Sequence, residues 1–434
     1  MEDGSGIRDR IQLFIVIPAQ GLPAAAARHG TRYRKQNRNN TKFLSMKTVK
    51  FFMSALAALC MAALASCQKD DDSSDPVEDI EFTSGATLGG RYNDNITLRA
   101  GEYTLTSSLQ IEAPGSLTIE AGTTITAAAN DNIIYILIEQ GAQINASGTA
   151  SSPIVMTSEE QKAGAWGGLH ICGRAHTNAG SGSSEIGNAS YGGVVEDDNS
   201  GTIEYVVIRN SGYALDSEHE ANGISLYGVG SGTTISNVYV VNGSDDGIEF
   251  FGGSVNIDHC IVEDCTDDSF DWTEGWNGTA EYIVAYQTVD GCDCFMECDN
   301  NGDDASAEPV SDPTIRYATF VGMDATDKTV GIKFRAGTFV NMSYALVCGK
   351  TTPITLETTQ TSDSFADGDS SISSSVIAGE LSNLVSGGTY DNDAFIAAGN
   401  RNDDTIASSL DGFVGTVNGA GAVSSSDDWT AWTR

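Results

Sequence analysis

The chain has 434 residues, and its 59 acidic against 23 basic side chains give a net charge of −36. That balance excludes nucleic acid as a partner, because holding a phosphate backbone takes a basic footprint. Hydrophobic residues make up 40% of the chain, which is enough to bury a core and excludes a disordered polymer.

Residues 1–45 read as a mis-assigned N-terminal extension ahead of Met46, the expected initiator. Residues 46–66 have a basic start, an apolar run from Phe51 to Ala65 and then Leu64-Ala65-Ser66 before Cys67. This is the layout of a secretory signal, and it is too short for a membrane span, which needs about 20 apolar residues. Leu64-Ala65-Ser66-Cys67 resembles a bacterial lipobox, which implies lipid on Cys67. The stretch Lys69-Asp70-Asp71-Asp72-Ser73-Ser74-Asp75 resembles the export signal of Bacteroidetes surface lipoproteins. Residues 67–84 are therefore expected to form a lipidated acidic tether, with the protein anchored in the outer membrane and facing outward.

From about 85 to 380 the chain repeats itself. The phrase Gly223-Ile224-Ser225-Leu226 returns as Gly247-Ile248-Glu249-Phe250, Ser269-Phe270-Asp271-Trp272, Cys294-Phe295-Met296, Gly331-Ile332-Lys333-Phe334 and Pro353-Ile354-Thr355-Leu356. Its usual spacing of 22 to 25 residues is too short for a helical hairpin and suits one rung of a parallel β-solenoid. Second runs at 203–208, 235–241, 257–262, 280–286 and 315–321 are β-branched and aromatic, so two strands per rung are visible and a third is expected in the variable stretch between them. Alternation points Ile224, Ile248, Phe270, Phe295, Ile332 and Ile354 inward, and puts Ser225, Glu249, Asp271, Met296, Lys333 and Thr355 in an outer row. Residues 381–434 lose the repeat and are expected to cap the last open edge.

Seven cysteines follow Cys67, namely Cys172, Cys260, Cys265, Cys292, Cys294, Cys298 and Cys348, and their spacing fits no common zinc template. They read as small residues stacked in rungs, with room for one bridge.

The segments at 116–127, 148–158, 164–175 and 222–253, with Asp428-Trp429-Thr430-Ala431-Trp432-Thr433 at the end, resemble a family of right-handed parallel β-helix proteins. These are pectate-lyase-like in fold and common in the envelopes of Bacteroidetes. The resemblance implies fold and compartment and carries no established activity.

Between Arg209 and Arg316 there are 22 acidic residues and no Lys or Arg. Asp245 and Asp246, Asp267 and Asp268, then Asp290 and Asp293 fall in successive turns, beside the outward pair Glu249 and Asp271. Rungs are about 4.8 Å apart, near the carboxyl separation of a retaining glycosidase, so Glu249, Asp271 and Asp246 are the candidate catalytic residues. The six turn aspartates also suit calcium, which takes 6–8 oxygen ligands; no motif demands another cofactor. Trp276, between Gly275 and Gly278, is placed to offer a face to sugar, with Glu274 beside it. Ser244-Asp245-Asp246-Gly247 resembles the paired-aspartate element of polygalacturonases, although that family's Gly-His-Gly and Arg-Ile-Lys elements are missing. Arg335, on the Lys333 strand, is the one candidate base for a calcium-dependent lyase.

The leading expectation is a non-catalytic surface lipoprotein that binds glycan or another envelope component along its acidic face. The alternatives are a calcium-dependent polysaccharide lyase or glycoside hydrolase, and a structural or adhesive stalk. An enzyme needs a cleft with converging polar groups, whereas a stalk has flat faces.

Overall fold

The computed structural model describes residues 77–180, 182–214 and 221–434. The leader, Cys67 and the expected tether as far as residue 76 lie outside the described residues, while the rest of that tether is structured and includes the strand Asp79–Phe82. No helix among the described residues is long and apolar enough to cross a membrane.

One 27-stranded sheet system, parallel throughout, winds into a right-handed β-helix. The first face stacks Leu169–Cys172, Ile224–Tyr227, Ile248–Phe251, Phe270–Thr273, Met296–Cys298, Val330–Phe334 and Thr352–Leu356. The other two faces come from the second apolar run of each rung, which bends in the middle, so the expected third strand is not in the variable stretch. In Thr234–Val241 and its neighbours the ladder is interrupted between residues that pair as Ser236 with Asp258 and as Val238 with Cys260. The corner residue between them is left-handed in seven successive rungs: Tyr205, Asn237, His259, Tyr282, Tyr317, Tyr344 and Ser374 have φ of 50–56°. Such a backbone costs about 1–2 kcal/mol for a residue with a Cβ. Part of that is offset by stacking, since the rings of His259, Tyr282, Tyr317 and Tyr344 lie 4.7, 4.9 and 4.9 Å apart in succession.

The inward ladder of the first face is Ile224, Ile248, Phe270, Met296, Ile332 and Ile354, all 0–2% exposed. The expected register slips by one at the fourth rung: Met296 points inward and Glu297, not Met296, joins the outer row between Asp271 and Lys333. Phe295 is buried as well, against Phe320 in the turn that precedes the strand. Three consecutive apolar residues there carry no alternation from which to read the register.

Rungs extend beyond both expected boundaries, from Asp79–Phe82 to Arg401–Asn402. A short helix, Asn392–Ala397, closes the C-terminal end; Asp391 caps it by accepting from the Ala394 amide, and Phe395 is fully buried in the core. The last residues do not cap that end. They fold back along the third face, where Phe413, Ala422, Val423, Trp429 and Trp432 cover the outward row Val207, Tyr239, Ile261 and Val284. The Ala422 amide donates to Thr319 Oγ1 at 2.7 Å, and Trp429 and Trp432 set their edges against His259 and Tyr205. All seven cysteines are buried free thiols.

Candidate functional site

The acidic turns open with left-handed residues, Asn242 and Asp264, a conformation that Asn and Asp tolerate. Each turn then delivers an aspartate to the edge of the first face. Gly247 is required there, because a Cβ would stand 2.6 Å from the Ser269 carbonyl oxygen. The aspartates are tied along the axis: Asp246 Oδ1 accepts the Asp268 amide at 2.9 Å, and Asp268 Oδ1 accepts the Cys294 amide at 2.6 Å. Each hydrogen bond occupies one oxygen of a carboxylate that also lines a common recess.

The recess has a volume of about 410 Å³ and is lined by Asn222 and nine acids. Asp245, Asp246, Asp267, Asp268 and Asp293 come from the turns, Glu249, Asp271 and Glu297 from the outer row, and Glu185 from the loop over the first face. Carboxylate oxygens of Asp246, Glu249 and Asp271 lie within 4.8 Å of one another, and so do those of Asp268, Asp271 and Glu297. Burial pushes the carboxyls of Asp246, Glu249, Asp268 and Asp271 well above the ordinary range, and the neighbouring negative charges push them further. Folding therefore favours the protonated form of each of these four carboxyls.

The two ends of the recess differ. Downstream, Lys333 Nζ is 2.8 Å from Glu297 and 3.6 Å from Asp293, while Arg335 reaches Glu297 and Asp299 at 2.7 Å each. Burial opposes both positive charges, but the surrounding anions outweigh it and hold both groups above their usual values. Upstream, the Asn222 amide nitrogen donates to Glu249 and to Ser225 Oγ. Asn222 is 1% exposed and its Oδ1 has no hydrogen-bond partner.

The loop at 175–201 supplies Glu185 to the lining, and it is tied to its neighbours on the first face. His176 bonds Glu196 and the Gly275 carbonyl at 2.7 Å each. Asn178 donates to Asn300 Oδ1 at 2.8 Å, joining the segment after the first-face strand of one rung to the insertion at 299–313.

The structure thus gathers Glu249, Asp271, Asp246, Asp245, Asp267, Asp268 and Asp293 in one place. Three expected site residues lie elsewhere. Asp290 is exposed at the tip of its turn and lines no part of the recess. Trp276 is 1% exposed, stacked 3.9 Å from Phe250, with its indole nitrogen donating to the Val255 carbonyl, so it has no face for sugar. Glu274 is engaged by the hydroxyls of Thr177 and Tyr191. Asn222, Glu297 and Glu185 were not expected. Asn222 was readable, because Asn222-Gly223-Ile224 occupies the repeat position of Asp246-Gly247-Ile248; Glu185 lies outside the repeat and carries no such signal.

The sequence profile of a family described as "Pectate-lyase like beta helix domain" matches residues 90–433. No curated protein and no solved structure matches the chain.

Proposed function

Because the chain belongs to the pectate-lyase-like β-helix family, we propose that it is a carbohydrate-active enzyme cleaving a glycan at the acidic recess of its first face. The observation that carries this reading is the convergence of Glu249, Asp271 and Asp246 in a recess open to solvent; a stalk needs none. Glu249 is the base or nucleophile: burial and its acidic neighbours raise its carboxyl, and the Asn222 amide that donates to it offsets part of that rise in favour of the ionised form. Asp271, on the next rung, is the proton donor, because burial and its acidic neighbours favour its neutral form. Their oxygens, within 4.8 Å of one another, are nearer to the about 5–5.5 Å of a retaining glycoside hydrolase than to the about 6.5–9.5 Å of an inverting one. Release of reducing ends from neutral, amino or uronate polysaccharides, abolished in Glu249→Gln and Asp271→Asn proteins that still fold, is the expected result. Retention of glycan with no product in any arm supports the non-catalytic binding reading instead.

A second reading, a calcium-dependent lyase, draws on Asn222. Its buried, unpartnered Oδ1 adds a neutral oxygen to the three carboxylates, a donor set suited to a hard cation. Asp246, Glu249, Asp271 and Asn222 would hold it, and it would supply a bridge to substrate carboxylates that the bare recess repels. Lys333 and Arg335 are the nearest cations, but both are held protonated by their carboxylate partners. They fit stabilisation of negative charge better than proton abstraction, which favours the hydrolase. Unsaturated uronate released only with calcium would reverse that order.

We assign the enzyme to the outer membrane, anchored through lipid on Cys67. This assignment rests on the leader at 46–66 and the acidic tether.

A further inference from the structure

A second recess, of about 540 Å³, lies where the C-terminal segment crosses the third face. Tyr239, Glu263 and Tyr286 come from three successive rungs, and Asp411, Phe413 and Arg434 from the returning segment. Glu263 is a half-buried acid whose row neighbours are Val241 and Tyr286. One of its oxygens accepts the Tyr239 hydroxyl at 2.7 Å. Tyr286 meets Phe413 edge-on, with ring centres 5.2 Å apart. Arg434 lies 5.5 Å over the Phe413 ring and is matched by Asp428 at 2.8 Å.

The chemistry contrasts with that of the first recess, which has nine acids and no aromatic ring in its lining. Here three rings offer C–H-compatible walls, Glu263 and Asp411 accept from hydroxyls, and Arg434 donates. Acids and a guanidinium face the same space, so no single sign of charge is favoured. The volume suits one or two sugar rings. Only the turn from Asp264 to Thr266 separates Glu263 from Asp267 of the acidic recess, so both recesses border one edge of the solenoid.

We propose that this pocket is a separate binding site for an uncharged saccharide, holding a glycan chain beside the recess that acts on it. The glycan reading of the first recess underlies the choice of ligand. The test uses the whole protein, its Tyr286→Ala, Glu263→Gln and Asp271→Asn variants, and tetrasaccharides of glucose, mannose, galactose and xylose, with a galacturonate tetrasaccharide as the charged control, titrated by calorimetry. At least one neutral tetrasaccharide is expected to bind with a Kd of about 1 mM or tighter. Tyr286→Ala and Glu263→Gln should each weaken it about tenfold, the worth of one good contact, in the wild-type and in the cleavage-deficient Asp271→Asn background alike. Glu263→Gln keeps the side-chain shape and guards against loss of fold in the tyrosine variant. Failure of every neutral tetrasaccharide to bind at about 10 mM, preference for the uronate, or undiminished binding in both pocket variants overturns the proposal. Cleavage lost in Asp271→Asn but kept in the pocket variants leaves the enzyme reading standing whichever way the binding falls.

Discussion

Replacing Glu249 by glutamine should stabilise the protein at pH 8 and leave it nearly unchanged at pH 4. Glu249 and Asp271 have oxygens within 4.8 Å, and two unit charges that far apart repel by about 3.5 kcal/mol at an effective dielectric of about 20. The alternative, protonating one carboxyl at pH 8 against an ordinary value of about 4.3, costs about 5 kcal/mol. Repulsion is the smaller and sets the ceiling. The sign follows from linkage: a carboxyl raised by folding binds more protons in the native state, so stability is lost as pH rises from its ordinary value toward its folded one. Glutamine does not titrate, and its carbonyl can still accept from Asn222. With a melting entropy of about 2.1 cal/mol/K per residue over the described chain, the gain is roughly 5 °C at pH 8. Thermal melts by circular dichroism at both pH values read it directly. A variant less stable than wild type at both, or equal to it at pH 8, would mean that the carboxylates do not strain one another and that the recess holds no proton in reserve.

Calcium at about 5 mM should raise the melting midpoint more than sodium at equal ionic strength, and Asn222→Ala should shrink that difference; equal shifts for the two salts indicate screening alone. Trp276→Ala should cost about 3–5 kcal/mol in a urea titration through the lost Phe250 stack and the indole hydrogen bond. The same variant should leave saccharide affinity of the folded protein intact, since weaker binding would restore a ligand role for Trp276. Cys67→Ala should leave an unacylated precursor, and membrane fractionation equal to the parent's would refute the anchor.

The rungs were legible because the repeat carries its own register: Gly-Ile phrases mark the first face, and the acids on either side of them mark the recess. Where the pattern fails, the physics explains it. Cys294-Phe295-Met296 has no polar residue to say which side is out, and Glu297 was lost with it. The corner at Tyr205, His259 and Tyr282 was unreadable, because bulky residues give no sign of a left-handed backbone that only their neighbours make tolerable. Trp276 was misjudged from flanking glycines, which here let backbones approach rather than open a surface; a Cβ on Gly278 would meet the Val255 carbonyl oxygen at 1.9 Å. One signal was present and passed over. Val238-Tyr239-Val240-Val241 and Ile283-Val284-Ala285 are apolar at every position, the mark of a strand covered on both sides, and they announced that something lies over the third face.

That cover has a consequence for how the molecule is made. Each rung can settle on the one before it as the chain emerges, because its contacts are with neighbours in sequence. The outward row Val207, Tyr239, Ile261 and Val284 has no such neighbour; it waits for Phe413, Val423 and Trp429, more than a hundred residues after the latest of the four. Until they arrive, an apolar strip runs down a solenoid that is otherwise finished, and a chain stopped short of residue 411 keeps it permanently. A product that lacks the returning segment therefore displays an apolar strip of the kind that drives aggregation.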